Sequence, residues 1–137
     1  MLVIRNCLLI ACFLISQALF AEVIEVDVEG LHELIGSGVT VIDVRTPGEW
    51  KQTGIVEGSV PIMFFNEKRK PLTQKWMHEA AKYVQPDSPL VLICRSGNRS
   101  RIIGNFLVKQ HGYKNVYNVS KGINNWIAKG NKTVEVR

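Results

Sequence analysis

Cysteine is scarce in this chain: three in 137 residues, two of them, Cys7 and Cys12, inside an apolar amino-terminal segment. Once that segment is removed Cys94 stands alone, which excludes an internal disulfide framework and leaves a free thiol to explain. The apolar run that invites a membrane reading, Cys7–Ile15, is interrupted by Ser16 and Gln17 short of a bilayer span. Internal repeats, low-complexity tracts and linkers are absent, so the chain reads as one domain. No clustered basic stripe or nucleic-acid-binding motif is present, which argues against a nucleic-acid partner. The three histidines, His32, His78 and His111, fall outside every motif found below, so no Cys–His pair is expected.

What is present begins with a secretory grammar. Arg5 is the only charge before Glu22, the apolar core follows it, and small residues come next at Ser16, Ala18 and Ala21. Residues 1–21 are expected to be a cleaved signal peptide, cut after Ala18 or, preferably, Ala21, and residues 22–137 the mature domain. An uncleaved anchor is disfavoured by the short apolar run. A lipoprotein box at Leu9-Ile-Ala-Cys12 is disfavoured because apolar sequence continues past Cys12. Three Asn-x-Ser/Thr sequons, at Asn98, Asn118 and Asn131, include one in the loop that carries the chemistry. A sugar there would obstruct it, which favours a bacterial periplasm over a glycosylating secretory route.

Hydrophobic residues make up 46% of the chain, which excludes disorder and is enough for a core at this length. Charge is uneven. Glu22 to Glu67 holds nine acids and two bases, and Lys68 to Arg137 holds fourteen bases and three acids. Most of these lysines read as a solvated surface. The arginines near Cys94 are better matched to a small anionic substrate.

Strand and helix signals alternate, predicting a parallel sheet with helices on both faces. Strands are expected at Val23–Val26, Val39–Val44, Ser59–Ile62, Leu90–Ile93 and Val116–Val119. The proline in the third suggests a sheet edge. Asp27 is expected to cap a helix with Val28, Leu31, Leu34 and Ile35 inward. Thr46-Pro-Gly-Glu-Trp50 reads as a cap, a first-turn proline and a short helix. Trp76, Ala80 and Val84 form a core stripe. A helix over Arg99–His111 is expected to turn Ile102, Ile103, Phe106 and Leu107 inward and to close at Gly112. A last short helix starts near Gly122, and the tail after Gly130 reads as polar.

The stretch Leu90-Val-Leu-Ile-Cys94-Arg-Ser-Gly-Asn-Arg99-Ser100 places a cysteine at the end of a strand buried on both faces. Ligand sites in open α/β sheets lie just beyond such carboxyl ends. A thiol attacks as the thiolate. Arg95, Arg99 and the amino end of the following helix favour that anion, and Gly97 lets the loop curl so that backbone N–H groups form an anion nest. Four residues separate Cys94 from Arg99, and Ser100 stands where a five-residue phosphatase loop would need its arginine. No general-acid aspartate can be assigned. The loop is too tight for phosphate and better sized for a sulfane sulfur carried on Cys94.

These residues resemble the single-domain rhodanese family. Cys94-Arg-Ser-Gly-Asn-Arg-Ser100 is similar to the family loop Cys-x-x-Gly-x-Arg, and Val41-Ile-Asp-Val-Arg45 to its Asp-Val-Arg strand. Gly54-Ile-Val-Glu-Gly58 resembles a Gly-His-Ile-x-Gly turn with Ile55 in place of histidine. Lys121-Gly-Ile-Asn-Asn-Trp126 resembles a Gly-Gly-x-x-x-Trp segment with Lys121 for the first glycine. The resemblance implies a three-layer α/β/α fold with a five-stranded parallel sheet in the order 1-5-4-2-3. It implies Cys94 as the nucleophile, with Arg95, Ser96, Gly97, Asn98, Arg99 and Ser100 around the substrate and Asp43 and Arg45 bracing the loop. The activity implied is transfer of sulfur from thiosulfate or a similar anion, through a Cys94 persulfide, to cyanide or a thiol, with no cofactor or metal. The alternative is a persulfide carrier serving one thiol-containing periplasmic protein. A monomer without stable membrane association is expected.

Overall fold

A computed structural model describes residues 20–137. All but the last two residues of the expected signal segment lie outside that range. Five strands, β1 (Ile24–Val26), β2 (Thr40–Asp43), β3 (Val60–Pro61), β4 (Leu90–Ile93) and β5 (Val116–Val119), form a single sheet in the order β1-β5-β4-β2-β3. Every pairing is parallel, as expected from the alternation of strands and helices. The five helices are α1 (Val28–Gly36), α2 (Pro47–Thr53), α3 (Thr73–Ala80), α4 (Asn98–Gln110) and α5 (Gly122–Ala128). Among the described residues no helix is long and apolar enough to cross a membrane.

The two-residue period of the strands separates the core into two layers. Leu90, Leu92 and Cys94 join Ile42, Val44 and Val116 on one face, under Trp76 and Ala80 of α3 and Ile103 and Leu107 of α4. Val91 and Ile93 join Val41 and Val119 on the other, under Val28 and Leu31 of α1 and Ile123 and Trp126 of α5. All four β4 residues are fully buried, which explains why that strand is apolar without alternation. Pro61 lies on the edge strand, where its missing N–H costs no ladder bond.

Local signals set the helix ends. The Asp27 carboxylate accepts the Gly30 N–H at 2.8 Å and starts α1. Thr46 and Glu49 form a reciprocal capping box on α2, with Pro47 in its first turn. Gly112 takes a φ of +67° just past α4.

Two expectations about packing need correction. Ile102 is 60% exposed rather than inward. The buried face of α4 centres on Ile103 and Leu107, one turn apart, and the 100° step per residue swings Ile102 out over the neighbouring groove. The tail after Gly130 is not merely polar chain. Val134 pairs antiparallel with Ile55, N–H to carbonyl in both directions at 2.8 and 2.9 Å.

Candidate active site

Cys94 follows β4 directly, and its loop leads into α4. Only 1% of the residue is accessible. Its Sγ accepts the Gly97 N–H at 3.1 Å and lies 3.2 Å from the Ser100 hydroxyl. The loop is held from behind by the start of α5. Ile123 N–H donates to the Cys94 carbonyl at 2.9 Å and Asn124 N–H to the Arg95 carbonyl at 3.2 Å. Those bonds draw the two carbonyls toward α5, and the Gly97 N–H points at the sulfur. No side chain caps the first turn of α4, which leaves its N–H groups for an anion.

Two glycines make this close approach possible. Gly97 has a φ of +93°, and a Cβ there would lie 2.2 Å from the Ser120 carbonyl oxygen. Gly122 has a φ of +60°, and a Cβ there would lie 2.3 Å from the Arg95 carbonyl oxygen. Neither position admits a side chain without moving the loop. Lys121 has a φ of −116°, an ordinary value, so lysine is accommodated where the family motif has its first glycine. Ile55 is 5% exposed, its backbone paired to the tail, so an apolar side chain suits the place where histidine is usual.

The loop residues do not share one role. Arg95, Ser96 and Asn98 are exposed and line an open groove of about 730 Å³ together with Phe65, Arg69 and Ile102. Gly97 and Ser100 are buried against the sulfur. Arg99 reaches the groove, but its guanidinium is clamped by Glu49 of α2 through two hydrogen bonds, at 2.9 and 2.6 Å. The Arg99 hydrogen bonds hold the Glu49 carboxyl down at about 2, against the opposing cost of burial and with further help from Thr46. Glu49 in turn holds the guanidinium of Arg99 firmly protonated.

Asp43 and Arg45 form a fully buried ion pair at 2.8 Å. Arg45 also donates to the Thr53 hydroxyl and the Gly54 carbonyl, both at 2.9 Å, while Trp50 Nε1 donates to Asp43 at 3.1 Å. These bonds fasten the middle and the carboxyl end of α2 to the sheet. The pair seats the helix whose Glu49 hydrogen-bonds Arg99. His32 hydrogen-bonds Asn131 and packs at a tilt against Trp126, and His111 packs at a tilt against Phe106.

Sequence reading missed Glu49, Asn118 and Glu25. Glu49 is the third residue of α2, in its capped first turn, but its partner is 50 positions away. Asn118 carried a signal: it is a polar residue inside the apolar strand Val116-Tyr-Asn-Val119, and it is wholly buried. Its amide donates to Glu25 at 2.8 Å and to the Gly97 carbonyl at 3.1 Å, and its Oδ1 faces the Ser100 hydroxyl.

Known proteins share this sequence pattern and this fold. The sequence fits the rhodanese-like domain over residues 27–129. The chain belongs to the rhodanese-like family. Among its relatives, thiosulfate sulfurtransferase 18 of Arabidopsis thaliana is 31% identical over 110 residues, covering 77% of this chain and 79% of that protein. A rhodanese-related protein of Thermoplasma volcanium superposes with a TM-score of 0.59 at 28% identity, over 81% of this chain and 97% of that one. The polysulfide-sulfur transferase of Wolinella succinogenes, a homodimer, shares the fold with a TM-score of 0.62 at 22% identity, over 83% and 80% of the two chains. Family and relatives together support sulfurtransferase-type activity for this rhodanese-like chain.

Proposed function

We propose that the protein moves a sulfane sulfur from thiosulfate, or a similar small anion, to cyanide or a thiol through a persulfide on Cys94. The observation that carries this reading is the Cys94 sulfur itself, bonded by the Gly97 N–H and set against the uncapped first turn of α4. The Cys94 thiolate attacks the outer sulfur of thiosulfate. A sulfur–sulfur bond forms to Cys94, the bond to the sulfonate sulfur breaks, and sulfite leaves with the electron pair. The remaining persulfide anion lies where loop amides can hold it. Cyanide attacks its outer sulfur and leaves as thiocyanate, or a thiolate takes the sulfur as a new persulfide, and the Cys94 thiolate returns. Both leaving groups depart as anions, so no proton has to be supplied. Asn98, Ser96 and Arg95 edge the groove through which donor and acceptor would arrive, and the exposed Arg95 and Arg69 would draw anions toward it.

The groove favours one variant of this reading. It is open to solvent and mixes the apolar Phe65 and Ile102 with the cationic Arg69 and Arg95, which suits a larger acceptor, including a thiol on a partner protein that collects the persulfide. The amino-terminal segment supports placing this transfer in the periplasm. Mass analysis after thiosulfate treatment tests the core reading: the intact protein should gain one sulfur atom at Cys94. Failure to gain it, or cyanide-dependent activity that survives Cys94→Ser, overturns the assignment.

A further inference from the structure

The sheet register sets Glu25 of β1 beside Asn118 of β5, and Asn118 beside Leu92 of β4, two residues before the reactive sulfur. From that row a hydrogen-bond chain runs from Cys94 to the surface. Asn118 spends both amide hydrogens, on a Glu25 carboxylate oxygen at 2.8 Å and on the Gly97 carbonyl at 3.1 Å. Two acceptors on that side fix which end of the amide is nitrogen, so Oδ1 must face Ser100. The other Glu25 oxygen takes the Nε hydrogen of Arg101, so this carboxylate is itself held in place.

Ser100 has one hydroxyl hydrogen and two neighbours that could receive it, Asn118 Oδ1 and Cys94 Sγ. A resting thiol satisfies everyone: S–H donates to the Ser100 oxygen, Ser100 donates to Asn118, and Asn118 donates to Glu25. A sulfur anion does not. Either the Ser100 hydrogen turns to the sulfur and leaves the buried Oδ1 of Asn118 facing a serine oxygen with no proton between them, or it stays on Asn118 and the anion faces the serine lone pairs. We propose that Asn118 and Glu25 are positioning residues that set the direction of the Ser100 hydroxyl and so restrain the ionisation of Cys94. The proposal rests on Cys94 being the reactive sulfur. It assigns to the row an opposing bias against the loop amides: donors favour the anion, and the pinned amide holds the thiol until substrate arrives.

The test is the rate at which Cys94 reacts with a small alkylating reagent, iodoacetamide, followed across pH. The charged groups around the loop are Arg95, Arg99 and Arg101, Asp43 of β2, Glu49 of α2, Glu25 of β1 and Lys121 ahead of α5. Asn118→Ala should move the profile to lower pH and raise the rate near neutrality about threefold to tenfold, the worth of one neutral hydrogen bond, with the high-pH plateau unchanged. Glu25→Ala, at a site already exposed, should do the same to a smaller degree and guards against a misfolded Asn118 variant. Both shifts should vanish when Ser100 is alanine, because the effect passes through its hydroxyl. A shift that persists without Ser100 is charge acting through space and overturns the proposal. So does a raised plateau, which marks an opened site, or no shift at all. Alkylation is read without sulfur transfer, so a coupled response in a protein that takes no sulfur from thiosulfate would overturn the proposed function and leave this inference standing.

Discussion

Glu49→Gln isolates the clamp that ties α2 to the reactive loop. The substitution keeps shape and removes charge, and its amide hydrogens meet hostile company. Oε2 of Glu49 accepts from Arg99 Nη1, the Thr46 N–H and the Thr46 hydroxyl, while Oε1 accepts from Arg99 Nη2. Whichever way the new amide is turned, its NH2 group faces a donor. The depression of Glu49 from 4.5 to about 2 would correspond to roughly 3 kcal/mol at about 1.4 kcal/mol per pH unit. Solvent reaches both partners, with side-chain exposures of 31% for Arg99 and 22% for Glu49, which screens the pair and reduces the expectation to about 1–2 kcal/mol. Because the carboxyl is depressed in the folded protein, its contribution is complete above pH 4.5 and is lost as pH falls through about 2. Urea denaturation of both proteins should therefore show a gap of about 1–2 kcal/mol at pH 6 that narrows steadily below pH 4.5. A gap of the same size at pH 6 and pH 3, or none at pH 6, would refute the clamp as the source of the stability.

Other perturbations have equally definite outcomes. Gly122→Ala should unseat the Cys94 loop, since its Cβ would lie 2.3 Å from the Arg95 carbonyl oxygen at a φ of +60°; thiosulfate loading of Cys94 should fall to background even in protein that stays folded by circular dichroism. Asp43→Asn leaves Arg45 buried against a neutral partner, and the loss should be on the order of 3–5 kcal/mol in denaturant titration. Trp50→Phe removes the indole hydrogen bond to Asp43 together with part of a half-buried ring and should cost at least about 1 kcal/mol in the same assay. Ile102→Ser, at an exposed position on the groove, should change stability by less than about 0.5 kcal/mol; a larger loss would return that side chain to the core.

The architecture was legible because its signals are local and repeated. An unbroken apolar run marked β4 as a central strand, a proline marked β3 as an edge, and Asp27 and Thr46 marked helix starts. The reactive loop was legible for the same reason, since Cys94, Gly97, Arg99 and Ser100 are neighbours in sequence. What escaped notice joins distant segments. Glu49 is 50 residues from the arginine it grips, and Glu25 is 93 residues from Asn118, so each waits on the sheet to bring its partner near. Ile102 escaped for a subtler reason: four apolar residues at 102, 103, 106 and 107 define a stripe but not its centre, and the packing of α4 against the sheet put that centre at Ile103 and Leu107. The pairing of the tail is not legible in the sequence because Val134 and Val136, two valines among five polar residues, are too few to establish a strand.

That tail has a practical consequence. Thr133 donates its hydroxyl to the Thr53 carbonyl, Val134 exchanges two hydrogen bonds with Ile55, and Trp126 Nε1 donates to the Lys132 carbonyl. A Cβ on Gly54 would lie 2.7 Å from the Val134 carbonyl oxygen, so the two segments touch backbone to backbone. Residues beyond Gly130 therefore form an isolated antiparallel bridge outside the sheet, sealing the seam between α2 and α5. Proteolytic trimming there, or an affinity tag fused close to Val134, would loosen the far end of α2 first and the sulfur loop only afterwards. Amide exchange at Ile55 should register the damage before any assay of Cys94 does.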